Sequence, residues 1–176
     1  MVAAPVLKLQ RHLWWLVLLV VGGAMGTAAF WSPDRQKRLV DEVAEGPMHG
    51  LAADAVRVLK LSDKTRQRTL RRDGSGWRSD AGPVDAAAVA GALRLLRHAV
   101  SERQFEREAP EFGLDTPALR VAVFTDAAAA SPAFEFSFGA ANPIGMANYV
   151  RVTTGAQAQT QLLPTYVAEA WLALLN

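Results

Sequence analysis

Residues 134–138 read Phe-Glu-Phe-Ser-Phe, three aromatic rings alternating with one charged and one polar side chain. A period of two places Phe134, Phe136 and Phe138 on one face of a strand and Glu135 and Ser137 on the other. One buried face and one solvated face is the pattern of an antiparallel sheet, because parallel strands covered on both sides read as continuous apolar runs. Outward from this strand, Asn142-Pro143-Ile144-Gly145 marks a turn, and residues 148–153 form the next strand. On the other side, residues 119–125 form a strand rich in β-branched side chains, and residues 127–130 are a loop tip with no expected role. Residues 160–163 are a short last strand. Pro164 then precedes a C-terminal helix whose apolar face is Val167, Trp171 and Leu174.

Upstream, residues 55–61 and 65–72 flank Ser62-Asp63-Lys64 and predict a hairpin. Asp73-Gly74-Ser75-Gly76 is a second turn, and Trp77 follows it as an anchor into the core. Pro83 is expected to open a helix with Asp85 in its first turn, where a negative charge suits the helix dipole. Val89, Leu93, Leu96 and Val100 form its apolar stripe, leaving Arg94 and Arg97 toward water. The expected order is β-β-α-β-β-β-β-α, an α+β domain with a mostly antiparallel sheet.

The rest of the chain limits the chemistry. The 176 residues are 51% hydrophobic with a net charge of +2, enough apolar side chain for one core. There is no Cys, which excludes disulfides and thiolate metal sites. His12, His49 and His98 lie far apart in the chain, with no second histidine at i+3 or i+4 that would complete a metal site or a dyad. Glu102, Glu106, Glu108 and Glu111 are interleaved with Arg103 and Arg107, a solvated, self-paired stretch. No nucleophile elbow, phosphate loop or dinucleotide fingerprint occurs. The expectation is a protein that is not an enzyme, with no cofactor and no metal.

Residues 13–31 read LWWLVLLVVGGAMGTAAFW, 19 residues without a charge. As a helix they span about 28 Å, the hydrocarbon thickness of a bilayer. Trp14, Trp15, Phe30 and Trp31 stand at the two headgroup boundaries. A cleaved signal peptide is the competing reading, with small residues at Thr27-Ala28-Ala29, but the apolar run continues past them. The expected organisation is a cytoplasmic tail (1–12), a single transmembrane helix (13–31), a juxtamembrane segment (32–53) and an external domain (54–176). In a Gram-negative cell that domain would be periplasmic, with the helix in the inner membrane. Gly22 and Gly26 form a small-xxx-small face on which another helix can pack closely. Residues 32–44 are expected as a short amphipathic helix, ended by Gly46-Pro47.

Charge is unevenly distributed: residues 1–79 carry +6 and residues 80–176 carry −4. Much of the excess is Arg57, Lys60, Lys64, Arg66, Arg68, Arg71 and Arg72. A second strand polar on both faces is expected at the edge of the sheet, where charge keeps other strands from pairing with it. The alternative is a face for anionic lipid headgroups or an acidic protein partner. Nucleic acid is not an expected partner, because the aromatic residues occupy core positions.

Several pieces occur in a recognisable order: Trp77 after a turn, Pro83 with Asp85, Phe112-Gly113-Leu114-Asp115-Thr116-Pro117, Phe138-Gly139 and Tyr149-Val150-Arg151. Together they resemble the DUF4340 family, a domain of unknown function often encoded beside ABC-type transport systems of the gliding-motility auxiliary kind. The resemblance covers about residues 55–163 in a single copy, where many members carry longer or repeated versions. It implies a membrane-anchored accessory protein beside an ABC-type transporter and supplies no catalytic residues. Physics accounts for the same residues as turn and core: Leu114 plugs the core, Gly139 is a crowded strand end, and Tyr149 is a half-buried ring. The sequence therefore predicts an accessory subunit that docks onto a larger membrane complex, or alternatively a lipid- or glycan-binding module.

Overall fold

Asp63 builds the first hairpin. Its Oδ1 accepts hydrogen bonds from the backbone N–H groups of Thr65 at 2.8 Å and Arg66 at 2.6 Å, and its Oδ2 accepts from Arg66 Nη2 at 2.7 Å. The Thr65 N–H, then the Arg66 guanidinium, hold this carboxyl far below the usual carboxylate range. In the computed structural model, which describes residues 46–176, the hairpin joins β1 (Val58–Ser62) to β2 (Gln67–Asp73). Two further strands follow, β3 (Gly76–Ser79) and β4 (Gly82–Val84), and then helix α1 (Ala86–His98). The chain continues through β5 (Arg103–Phe105), a 3-10 turn (Pro110–Phe112), β6 (Leu119–Phe124), β7 (Phe134–Ala141), β8 (Ala147–Thr154) and β9 (Gln157–Pro164) to helix α2 (Thr165–Ala173).

All nine strands join one antiparallel sheet in the order β4-β3-β2-β1-β6-β7-β8-β9-β5. The α+β class and the antiparallel sheet agree with expectation; the element order does not. Trp77, Gly82–Val84 and Arg103–Phe105 are additional strands, three or four residues long, too short to show a period. Pro83 sits in β4, not in a helix. β4 is an edge strand, where a missing N–H is tolerated. Asp85 is the N-cap of α1 and accepts from Ala87 N at 2.8 Å.

Both helices cover one face of the sheet, called here the helix face. Leu59, Leu61, Leu70, Val121, Val123, Phe136 and Phe138 point to it and pack with Val89, Leu93 and Leu96 of α1 and Val167 and Trp171 of α2. Each fully buried side chain of this kind stabilises the fold by about 1.5–3 kcal/mol. Val100 departs from the expected stripe and is 53% exposed. α1 ends at His98 and Ala99 is extended, so the 3.6-residue period no longer applies. Residues 46–51, read from sequence as linker, pack onto the domain: Met48 is fully buried, and Gly46 N and Met48 N donate to Arg97 O and Leu96 O. A Cβ on Gly46 would lie 2.5 Å from the Arg97 carbonyl carbon, so the residue has to be glycine.

The expectations for residues 1–45, including the transmembrane helix, the Gly22/Gly26 face and the helix of 32–44, lie outside the described residues. No helix among the described residues is long and apolar enough to cross a membrane.

Candidate functional site

The seven basic residues singled out from the sequence do not share a face. β2 lies between β1 and β3, so it is not an edge strand. Arg68 and Arg72 are on the helix face beside Leu70, half-buried. Arg68 Nη1 donates to Leu174 O at 2.7 Å, beyond the end of α2, and Arg72 Nη1 donates to Ala53 O at 3.1 Å while its guanidinium lies 5.6 Å from the Trp77 ring. Their stems cover apolar surface and their heads satisfy carbonyls at the rim, which explains charge on the core side of an interior strand. Lys60 and Arg71 are on the opposite, open face: Lys60 Nζ lies 4.7 Å from the Phe124 ring, and Arg71 donates to Ala127 O at 3.2 Å. Lys64 and Arg66 belong to the β1–β2 turn, and Arg57 precedes β1, exposed. The loop of residues 127–130 is not idle. Ala129 is buried over Val58 and Phe124 and closes a small second cluster on the open face.

The segment after β5 crosses the open face and gathers four of the motif residues, Phe112, Gly139, Tyr149 and Arg151. Phe112 stacks on Tyr149 with ring centroids 4.0 Å apart, and Phe105 meets both rings edge-on at 4.8 and 5.6 Å. Gly139 stands at an irregularity in the β7–β8 pairing, where a Cβ would lie 2.1 Å from the Phe112 carbonyl oxygen. Glu108 is not paired with Arg103 or Arg107. It accepts from Arg151 Nε of β8 at 2.6 Å and from the Thr160 hydroxyl of β9 at 2.5 Å. The Arg151 guanidinium holds the Glu108 carboxyl below its ordinary value, with the Thr160 hydroxyl adding to the effect. Leu114 is buried as expected. The motif residues thus act together as a clasp between the crossing segment and the sheet.

A polar groove of about 850 Å³ lies at the far end of the sheet, beside β8, β9 and β5. Gln157, Gln159 and Gln161 alternate along β9 on the helix face, and Gln104 of β5 stands opposite Gln161. Gln159 Nε2 donates to Gln104 Oε1 at 2.9 Å. Ser101 and Thr154 add hydroxyls, with Gly46, His49, Phe105 and Glu106 also lining the groove. Its amides and hydroxyls each donate and accept, a lining suited to an uncharged, hydrogen-bonding ligand. The sequence carries a signal for it, Gln157-x-Gln159-x-Gln161 at a period of two. Reading only residues 160–163 as strand overlooked that signal. His98 is exposed on α1, and among the described residues no three His, Asp or Glu side chains gather as a metal-binding group. No protein-family model matches the chain, and no curated protein or solved structure is found to be similar to it.

Proposed function

We propose that the chain is a non-catalytic docking module of the inner membrane, anchored by residues 13–31 with its N-terminus in the cytoplasm. Its α+β domain engages a larger membrane assembly from the periplasmic side. The observation that carries this reading is the polar groove beside β9, a recognition surface on a domain joined to an apolar segment long enough to span a bilayer. The resemblance to DUF4340 suggests an ABC-type transporter as the assembly, and Gly22 with Gly26 offers a face for one of its helices.

Gentle detergent extraction of the tagged full chain, followed by native mass measurement, tests it: a co-purifying membrane subunit is expected, and a strictly solitary protein overturns the reading. Gly22→Leu with Gly26→Leu should weaken that association. Proteolysis of intact spheroplasts should digest the domain, and protection would place it on the cytoplasmic side instead. A glycan-binding module is the second reading, supported by the same amides and hydroxyls. A lipid-binding module has less support, because the groove is lined mainly by polar side chains.

A further inference from the structure

Gln161 is only 5% exposed, yet its side-chain amide makes no hydrogen bond within the described residues, unlike the bonded pair Gln159 and Gln104 beside it. A buried amide without a partner is unfavourable unless something else supplies the bonds. Neither polar atom of that amide is fully enclosed: its tip opens onto the groove lining, where water or a ligand can supply its bonds.

The backbone of β9 indicates what kind. Leu162 O accepts from Glu102 N at 3.0 Å, so Leu162 faces β5. Alternation turns the N–H and C=O of Thr160 and Ala158 the same way. β5 ends at Phe105, opposite Thr160. Ala158 therefore presents a backbone donor and acceptor to an edge that no strand among the described residues pairs, while its own strand stays paired with β8 along its whole length. An extended chain laid beside β9, beyond the end of β5, meets that pair of backbone groups. The amides of Gln104, Gln159 and Gln161 lie within the same groove, and each offers the donor and acceptor that a peptide group needs.

We propose that the groove receives an extended, uncharged segment of polypeptide from the docking partner, paired in β fashion with Ala158 and held by the glutamines. This rests on the docking function above and specifies the partner's chemistry. The glutamines supply no counter-charge to a desolvated ion, and the exposed Glu106 of the same lining disfavours an anion. A sugar fits less well: pyranose rings stack their apolar faces on aromatic rings, and Phe105, the phenylalanine on the groove lining, has its ring engaged edge-on by Phe112 and Tyr149.

The test uses the full chain in detergent with two probes, short fluorescent peptides of alternating Val and Ser or Thr, and oligosaccharides of N-acetylhexosamine. The peptides should bind, and backbone N-methylation on alternate residues should abolish binding. Gln161→Leu and Ala158→Pro should each weaken it by about tenfold. Ala158→Pro leaves the β8 pairing intact because the N–H it removes faces the open edge. Gln159→Ala, at an exposed site, should also weaken binding and does so without altering the core. Peptide binding that is absent or unchanged in all three variants overturns the proposal, as does binding of the oligosaccharide alone. In membranes, variants that keep the subunit co-purifying with wild type overturn the groove assignment and leave docking standing. A wild type that brings down no subunit overturns docking itself, and the groove proposal with it.

Discussion

On the helix face, Trp171, Phe136 and Leu163 are sealed from water beneath two helices, whereas on the open face one crossing segment, held by Phe112 and Glu108, covers Tyr149 and Arg151. The first closure depends on apolar area and tolerates modest changes in shape. The second depends on a few specific contacts: a stacked ring pair, one bidentate ion pair and one glycine. Losses on the helix face should therefore act on the whole fold, and losses in the clasp should release the crossing segment while the sheet survives.

The largest separation between the faces should come from Trp171→Ala, which removes a fully buried indole and should cost about 3–5 kcal/mol in denaturant unfolding. Next, Gly139→Ala drives a Cβ into the Phe112 carbonyl and should cost about 1–3 kcal/mol. Limited proteolysis should then cut within residues 106–111 well below the unfolding midpoint. If cleavage appears only on global unfolding, the clasp is not an independent unit. Arg68→Met should cost about 1 kcal/mol, because Leu174 O loses its donor. Glu108→Gln should cost about 0.5–1 kcal/mol at neutral pH, as the pair with Arg151 is partly exposed. Its pH dependence has a definite sign. A carboxyl whose folded pKa lies below its unfolded value contributes stability that is present above the unfolded value and lost as pH falls through the folded one. The gap between wild type and Glu108→Gln should therefore be full at neutral pH and shrink on acidification below about pH 4.3. The smallest effect belongs to Val100→Ala, within about 0.5 kcal/mol because the side chain is exposed. A large effect there would mean that the stripe of α1 continues past His98.

What was legible in the sequence follows from how far each element repeats its pattern. Phe134 to Phe138 and the first hairpin announce themselves because two-residue alternation and an Asp-led turn are local signals. Trp77, Pro83 and Arg103 fall in strands too short to show a period, so turn and helix signals outweighed them. The basic strand β2 departs from the rule that charge marks solvent: Arg68 and Arg72 reach carbonyls of distant segments, which no window of sequence contains. Glu108 has arginines beside it in sequence, yet its partner is 43 residues away. The glutamine groove was visible as an alternation, but only pairing with β5 makes those amides converge.

The register of β1 against β6 carries a consequence for synthesis. Leu61 lies opposite Val121, and the four strands β1 to β4 are complete long before β6 exists. At about 5–20 residues per second, roughly 3–12 s separate translation of the two halves of that ladder. Throughout that interval one side of Leu59 and Leu61 has no neighbour, so the nascent polypeptide carries a bare, adhesive flank. A holdase that shields it until the second half arrives would raise yield more than any later assistance.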